Sequence, residues 1–297
     1  MSISGTTRVA AVWGYPVAHS ASPAMHNAAF AATGFDGVYV ASAVAPERIG
    51  DAVAGLRAFD MLGANVTVPL KECALPHLDK ISDAARAIGA VNTIVNKNGE
   101  LWGDSTDGAG FLAALEHAGA GVTAGSRFVV LGAGGSARAV VYALLGRGAS
   151  VVIANRNRER ATALAADFAH LPGRIAVTDW EETAIGAALT AGATVLVNTT
   201  SVGMVSGVTP PRVAPLPSQA REKEGDLLPV PLDALVPGLF VADLVYKPRE
   251  TVLLAAARER GCRTQNGLEM LIRQGAVSFE YWTGIAAPVD VMRAAIG

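Results

Sequence analysis

Phe128-Val129-Val130-Leu131 runs directly into Gly132-Ala133-Gly134-Gly135-Ser136-Ala137, and few architectures accept that junction. Four apolar residues read as a buried strand, and residues 137–145 read as the helix that follows. Only small residues make the turn between them. One glycine reverses the chain, a second lets a pyrophosphate approach the backbone, and the small third position, Ala137, lets helix and strand pack closely. The N–H groups at the helix start then face the phosphates, with the positive end of the helix dipole behind them. A second strand over 150–154 follows the helix. Gly132, Ala133, Gly134, Gly135, Ser136 and Ala137 therefore read as a cradle for a dinucleotide.

An NAD site usually places Asp or Glu about 20 residues beyond the glycines, on the ribose hydroxyls. Here the chain carries Asn155-Arg156-Asn157-Arg158, with Arg160 close behind. A carboxylate would repel a 2′-phosphate, whereas a guanidinium holds one with paired, charge-assisted hydrogen bonds. Asn155, Arg156 and Arg158 thus point to NADP. The other reading that charge permits is a solvated arginine cluster opening a surface helix, and the glycine turn upstream favours the first.

Composition removes several classes of function. The 297 residues suffice for two domains with real cores, and with 51% hydrophobic and 17% charged residues the chain is compact rather than disordered. A formal net charge of −2 gives no general pull toward nucleic acid or anionic membranes. No apolar run approaches the length that spans a bilayer, and no basic-then-apolar leader opens the chain. Two cysteines, Cys73 and Cys262, do not make a disulfide framework, so the expected compartment is the cytoplasm. Cys73 and His77 are four apart and could share a helix face, but no second pair completes a zinc site. His19, His26, His117 and His170 form no triad or metal set, and no metal requirement is expected.

The first hundred residues alternate strand and helix. Strands are expected over 8–13, 38–43 and 64–68, with helices over 23–32 (Ser22 as N-cap) and 46–59. A hairpin over 92–95 and 101–102 closes near Asn98-Gly99. Such alternation implies a mostly parallel, sandwiched sheet. A helix over 110–118 bridges to a second α/β unit with further strands at 195–198 and 241–245. Helices follow at about 250–260, stopped by Gly261, and from 268 to about 279. Residues 205–237 are proline-rich and read as one long loop.

A nicotinamide needs groups that orient a substrate and handle a proton. Asn65-Val66-Thr67-Val68-Pro69-Leu70-Lys71 sets polar side chains and a lysine at the carboxyl end of a buried strand, where open α/β sheets bind ligands. Gly103-Asp104-Ser105-Thr106-Asp107-Gly108 sets carboxylates just before the bridging helix. A lysine beside an aspartate could relay a proton to a carbonyl oxygen as hydride arrives. Taken singly, Lys71 is also what a surface lysine looks like, and Asp107 what an N-cap looks like.

Taken together, the blocks closely resemble the shikimate dehydrogenase family. They are His19-Ser20-Ala21-Ser22-Pro23, the Asn65-to-Lys71 run, Gly89-Ala90-Val91-Asn92-Thr93-Ile94 and the Gly103-to-Gly108 run, then the glycine turn. After these come Asn198-Thr199-Thr200-Ser201-Val202-Gly203-Met204, Asp243-Leu244-Val245-Tyr246-Lys247-Pro248, Asn266-Gly267-Leu268-Glu269-Met270-Leu271 and Gln274-Gly275. The resemblance implies an α/β fold of two domains separated by a cleft. One is a substrate-binding and catalytic domain of mixed or parallel sheet over 1–107, completed by helices in 268–297. The other is a Rossmann-like NADP domain over 108–267. It further implies Lys71 and Asp107 as the catalytic pair, and Ser20 and Ser22 on the substrate carboxylate. Asn65, Thr67, Asn92 and Gln274 would hold ring hydroxyls, with Tyr246 near the carboxylate. Thr199, Met204 and Gly267 join the cofactor set, the last two near the nicotinamide.

The implied reaction is the reversible NADPH-dependent reduction of 3-dehydroshikimate to shikimate, in the chorismate pathway to aromatic amino acids. Partners are then a small-molecule substrate, with no nucleic acid and no membrane, in a monomer or homodimer. Two departures from the family pattern stand out: Ser105 where Asn is typical, and Asn157 where Thr often follows Asn-Arg. A relative acting on quinate or an aminoshikimate, perhaps with NAD, is the nearest rival reading. A non-catalytic metabolite sensor is another, which intact Lys71 and Asp107 argue against.

Overall fold

The computed structural model describes residues 3–204 and 228–297. Contacts divide the chain into two units, one of Met1–Gly121, Arg138–Leu144 and Glu269–Gly297, the other of Val122–Ala137 and Leu145–Leu268.

In the first unit the chain runs β1 (Arg8–Gly14), α1 (Ser22–Thr33), β2 (Gly37–Ala43), α2 (Ile49–Ala58), β3 (Gly63–Val66), β4 (Lys80–Ile81), α3 (Asp83–Ile88), β5 (Thr93–Lys97), β6 (Glu100–Asp104) and α4 (Asp107–His117). Its sheet has the order β2-β1-β3-β5-β6-β4. β1 pairs in parallel with β2 and β3, whereas β5 runs antiparallel to both of its neighbours, β3 and β6. The hairpin turns at Asn98-Gly99, both with positive φ, as that pair favours. Because β5 is reversed, its first residue meets the carboxyl ends of its neighbours. Thr93 sits opposite Asn65 of β3 and Asp104 of β6. Every polar block singled out in this half therefore collects at one edge of the sheet. Ala11, Trp13, Leu56, Val66, Leu70, Ile94 and Leu101 form the core beneath it.

The second unit begins with β7 (Arg127–Leu131), followed by the ends of α5 (Gly135–Gly146, whose Arg138–Leu144 groups with the first unit), β8 (Ser150–Ala154), α6 (Arg158–Phe168), β9 (Arg174–Thr178), α7 (Glu182–Thr190), β10 (Val195–Asn198), β11 (Phe240–Asp243), α8 (Val252–Glu259) and β12 (Arg263–Gln265). Its six strands are all parallel in the order β12-β11-β10-β7-β8-β9. β7 and β10 lie side by side at the centre, which explains their uninterrupted apolar runs. The chain ends with α9 (Leu268–Thr283) and α10 (Val289–Ile296), which belong to the first unit apart from Leu268.

Several local expectations are corrected. Ser22 is the first residue of α1 rather than its cap, and no side chain caps that helix. The single helix expected over 46–59 is a 3₁₀ turn, Pro46–Arg48, and then α2, because Arg48 leaves helical geometry at φ −105° and ψ 5°. β3 stops at Val66 rather than 68; Thr67 N–H still reaches Trp13 O at 2.8 Å, but Pro69 has no N–H to offer the ladder. Asp107 is not an N-cap but the first residue of α4. Cys73 and His77 do not share a helix, since 75–77 is a lone 3₁₀ turn. The expected loop 205–237 lies outside the described residues up to 227. Beyond them it is broken by the 3₁₀ turn Leu232–Ala234, and Ala234 and Leu235 enter the core of the second unit.

The two terminal helices are clamped by Glu269. Its carboxylate accepts from Arg273 Nε at 2.7 Å and from Arg293 Nη2 at 2.8 Å and Nε at 3.0 Å. Burial alone would raise this carboxyl, but the two guanidinium groups outweigh it and hold it below the usual range. A depressed native value means the stabilisation is complete above the unfolded value of about 4.3 and is lost as pH falls through the native one. Glu269→Gln should cost about 2 kcal/mol at pH 7, and the gap from wild type should narrow below about pH 4. Urea denaturation at several pH values measures both, and a gap that stays constant with pH would remove Glu269 from the acid response.

Candidate active site

At the polar edge of the first sheet, the register does most of the assembly. Asn65 lies in β3, Asn92 immediately precedes β5 and Thr93 opens it, and Asp107 begins α4 after the turn that follows β6. Asn92 is the hub. Its Nδ2 donates to Asp107 Oδ1 at 2.7 Å, Thr106 Oγ1 at 2.9 Å and Gln274 Oε1 at 3.1 Å, and its Oδ1 accepts from Thr106 N–H at 2.8 Å. The other oxygen of Asp107 is ion-paired with Lys71 Nζ. Both side chains are largely buried, at 13% exposure for Lys71 and 8% for Asp107. Lys71 is itself fixed where its carbonyl accepts from Val91 N–H at 2.9 Å, one residue before Asn92.

Asn65 extends the network. Its Nδ2 reaches Asn92 O at 3.1 Å and Ser278 Oγ at 2.9 Å, while its Oδ1 accepts from Tyr39 OH at 2.7 Å. Burial pushes the Tyr39 phenol well above its ordinary range, with a hydrogen bond from Ser22 pulling the other way. His26 stacks on Tyr39 with ring centroids 4.3 Å apart, and burial holds it down to about 3, a neutral imidazole at any ordinary pH. The charges in this cluster are thus those of Lys71 and Asp107, surrounded by neutral donors and acceptors. Of the residues expected here, Asn65, Lys71, Asn92, Asp107 and Gln274 form one bonded network. Ser22 joins it through Tyr39, and Ser20 through a bond from Ser22 N–H to its Oγ at 3.3 Å. Thr67 lies on the turn between Asn65 and Lys71, its methyl against Gly14.

Tyr39, Thr93, Thr106 and Ser278 belong to the same network, and no motif assigned them a role. Thr93 and Thr106 stand inside the blocks that carry the family resemblance, and Ser278 is one helical turn beyond Gln274, so position was their signal. Tyr39 gave none, being an aromatic in a strand.

In the second unit the glycine turn fits a bound pyrophosphate. Gly132 has φ 115°, and a Cβ there would lie 2.5 Å from Thr199 Oγ1. Gly134 is a different case: a Cβ there would meet nothing within 4 Å, which leaves room for a ligand against the backbone. Ala137 is fully buried where helix meets strand. Thr199 donates to Leu131 O at 2.7 Å, joining β10 to the strand that enters the turn. Gly132→Ala should weaken NADP⁺ binding about 5- to 150-fold, since the strained, crowded turn would shift by a cost of about 1–3 kcal/mol. Titration of cofactor fluorescence measures this, and wild-type affinity would show that the turn geometry is not needed.

Beyond β8, Asn155 donates from Nδ2 to Asn157 O at 2.8 Å. Asn157 caps α6, its Oδ1 accepting from Arg160 N–H at 2.9 Å. Arg158 is ion-paired with Asp179, while Arg156 is exposed above the Trp180 ring at 5.9 Å. Met204 is exposed, and Gly267 is buried with no room for a Cβ against the carbonyl of Leu244. Tyr246 follows β11 in this unit. Among the described residues no group of three or more His, Cys, Asp or Glu could hold a metal ion, and no helix is long and apolar enough to cross a membrane.

Three family models match the chain: the shikimate dehydrogenase substrate binding domain over 12–94, shikimate/quinate 5-dehydrogenase over 114–201, and the shikimate 5′-dehydrogenase C-terminal domain over 267–296. A shikimate dehydrogenase (NADP⁺) of Moorella thermoacetica is 48% identical over 98% of this chain and 93% of its own. The solved structure of shikimate 5-dehydrogenase from Listeria monocytogenes, in complex with shikimate and NAD, is 36% identical with a TM-score of 0.87, covering 100% of this chain and 99% of that one. A shikimate dehydrogenase solved in complex with NADP⁺ is 37% identical with a TM-score of 0.85, over 99% and 96% of the two chains. Identity at this level over the whole length leaves one assignment: the chain belongs to the shikimate dehydrogenase family.

Proposed function

We propose that the protein is an NADP-dependent shikimate dehydrogenase in which Lys71 and Asp107 handle the proton. The Lys71–Asp107 pair, buried and held by Asn92, is the observation that carries this reading. Bound NADPH supplies hydride to the C3 carbonyl carbon of 3-dehydroshikimate. The oxygen of that carbonyl gains a proton from the Lys71–Asp107 pair, giving the alcohol of shikimate, and the pair takes the proton back in the oxidative direction. Asn92 fixes Asp107, and through it the ammonium, so that little reorganisation is needed as charge develops on the oxygen.

Ser20 and Ser22 would hold the substrate carboxylate, with Tyr246 near it. Asn65, Thr67, Asn92 and Gln274 would hold the ring hydroxyls. The two asparagine amides are already engaged by protein groups, so a ligand hydroxyl joins or replaces an existing bond. A ring acid lacking that hydroxyl leaves the asparagine amides paired within the protein, so they discriminate less sharply than groups that would be stranded. The N–H groups of Gly132, Ala133, Gly134, Gly135, Ser136 and Ala137 would hold the pyrophosphate, and Asn155 and Arg156 the 2′-phosphate end. Arg158 would contribute only by leaving Asp179. Thr199, Met204 and Gly267 complete the cofactor set. In this division of labour the first unit does the substrate chemistry and the second holds NADP. Cys73 and Cys262 are both free thiols, in keeping with a cytoplasmic enzyme, working as a monomer or homodimer in the chorismate pathway.

The test is steady-state oxidation of shikimate and of quinate, each with NADP⁺ and NAD⁺. Preference for shikimate with NADP⁺ is expected. Preference for quinate or NAD⁺ would move the protein to a sister activity, and no turnover with any pair would favour a sensor.

A further inference from the structure

Asp243 ends β11 with 1% exposure, and none of the groups acting on its carboxyl is a cation. Its carboxylate is nonetheless fully engaged. Oδ1 accepts from Asn198 Nδ2 at 2.9 Å and from Val245 N–H at 3.0 Å, and Oδ2 accepts from the Thr251 hydroxyl at 2.7 Å. Asn198 in turn holds the next turn of chain. Its Oδ1 accepts from Thr200 N–H at 3.0 Å and Thr200 Oγ1 at 2.7 Å, and its Nδ2 donates to Val202 O at 3.2 Å. Thr251 caps α8 by accepting from Leu254 N–H at 3.3 Å, and its side chain packs beside Gly203.

One carboxylate therefore ties together the turn after β10, the turn after β11 and the start of α8. A buried carboxylate without a countercharge is costly, and burial raises this carboxyl while its three donors pull it back. A small polar or apolar residue would end a strand at less cost. What the carboxylate adds is the relative placement of two loops. Thr199 follows Asn198 directly, and Met204 ends the same turn. Tyr246 follows Val245, whose carbonyl accepts from Gly267 N–H at 3.1 Å. Thr199, Met204 and Gly267 are cofactor-side groups of the proposed function and Tyr246 a carboxylate-side one, and the role of Asp243 rests on that reading.

We infer that Asp243 is a positioning residue for hydride transfer: it fixes the two loops that carry Thr199, Met204 and Tyr246, and through Val245 the backbone at Gly267, without itself touching substrate or cofactor. Removing it then misplaces the reacting centres, while the phosphate contacts proposed for the glycine turn and Arg156, on which NADP⁺ affinity chiefly depends, are left in place. Asp243→Asn preserves volume and one acceptor but turns a donor toward the Thr251 hydroxyl. Its kcat for shikimate oxidation should fall about 10- to 100-fold. Kd for NADP⁺ should stay at the wild-type value, and the primary isotope effect with C3-deuterated shikimate should rise. Thr251→Val, which removes the bond to Oδ2 and the cap of α8, should lower Tm and show the same kinetic pattern more weakly when assayed well below that Tm.

Unchanged kcat and isotope effect in Asp243→Asn would overturn the inference. So would a loss of kcat that merely follows a lowered Tm, with Thr251→Val kinetically normal. Wild-type protein is assayed alongside: if it fails to oxidise shikimate, the reading of function falls and this inference with it. An active wild type with an indifferent Asp243→Asn removes the inference alone.

Discussion

Replacing Lys71 with Ala is expected to lower kcat by about 10²- to 10⁴-fold in both directions while Kd for NADP⁺ stays at its wild-type value. The magnitude follows from what the side chain does. It is the ammonium of the buried pair, and no other cation of the network described here stands beside Asp107 to replace it. Asp107 would keep its bond from Asn92 at 2.7 Å, so its position survives but its counterion does not. Cofactor affinity supplies the control, because the glycine turn belongs to a different unit of the chain. Lys71→Met, which keeps the apolar stem, separates loss of charge from loss of packing and should be as inactive as Ala. Near-wild-type turnover in either variant would take Lys71 out of the chemistry. A parallel fall in NADP⁺ affinity would mean the substitution damages the fold rather than the proton step.

The second large effect concerns the cofactor rather than the reaction. Arg156→Ala should reduce kcat/KM for NADP⁺ about 10- to 100-fold and leave kcat/KM for NAD⁺ where it was. A guanidinium–phosphate contact exists only when the ribose carries the 2′-phosphate, so its loss is invisible to NAD⁺. Arg156→Asp should go further, adding repulsion toward NADP⁺ and a hydrogen-bond acceptor for the free ribose hydroxyls. Arg158→Ala is expected to do less, because Arg158 is already paired with Asp179. If Arg156→Ala lowered both cofactors equally, its part would be to support α6 or Trp180 and not to read the phosphate.

Much of this was legible in residue order because the relevant physics is local. Gly132 needs a positive φ and Ala137 a small side chain, and both demands show in the strand–turn–helix sequence itself. The Asn98-Gly99 hairpin was legible for the same reason. Boundaries slipped where a neighbour decided them. Ser22 looked like a cap by residue type yet lies inside α1, its hydroxyl turned to Tyr39. Asn157 looked like a departure from a phosphate contact and proves to cap α6. Half of the acid clamp at Glu269, the i,i+4 pair with Arg273, is local, but its other partner, Arg293, lies 24 residues away and gave no sequence signal.

By itself, then, the sequence determined the α/β class, the strand–turn–helix through Gly132 and Ala137 and the arginine run beyond it, because spacing along one segment carries that information. Lys71 and Asp107 were singled out by the family resemblance. Only the tertiary structure decided that Asn92 joins Asp107, Thr106 and Gln274 around one amide. Only it decided that Tyr39 and Ser278, from a strand and a helix far apart in the chain, meet at Asn65. The reason is that a reversed strand, β5, brings Thr93 opposite Asn65 and Asp104, and pairing register is a property of the folded sheet. A hydrogen bond across 182 residues leaves no trace in the order of the amino acids that make it.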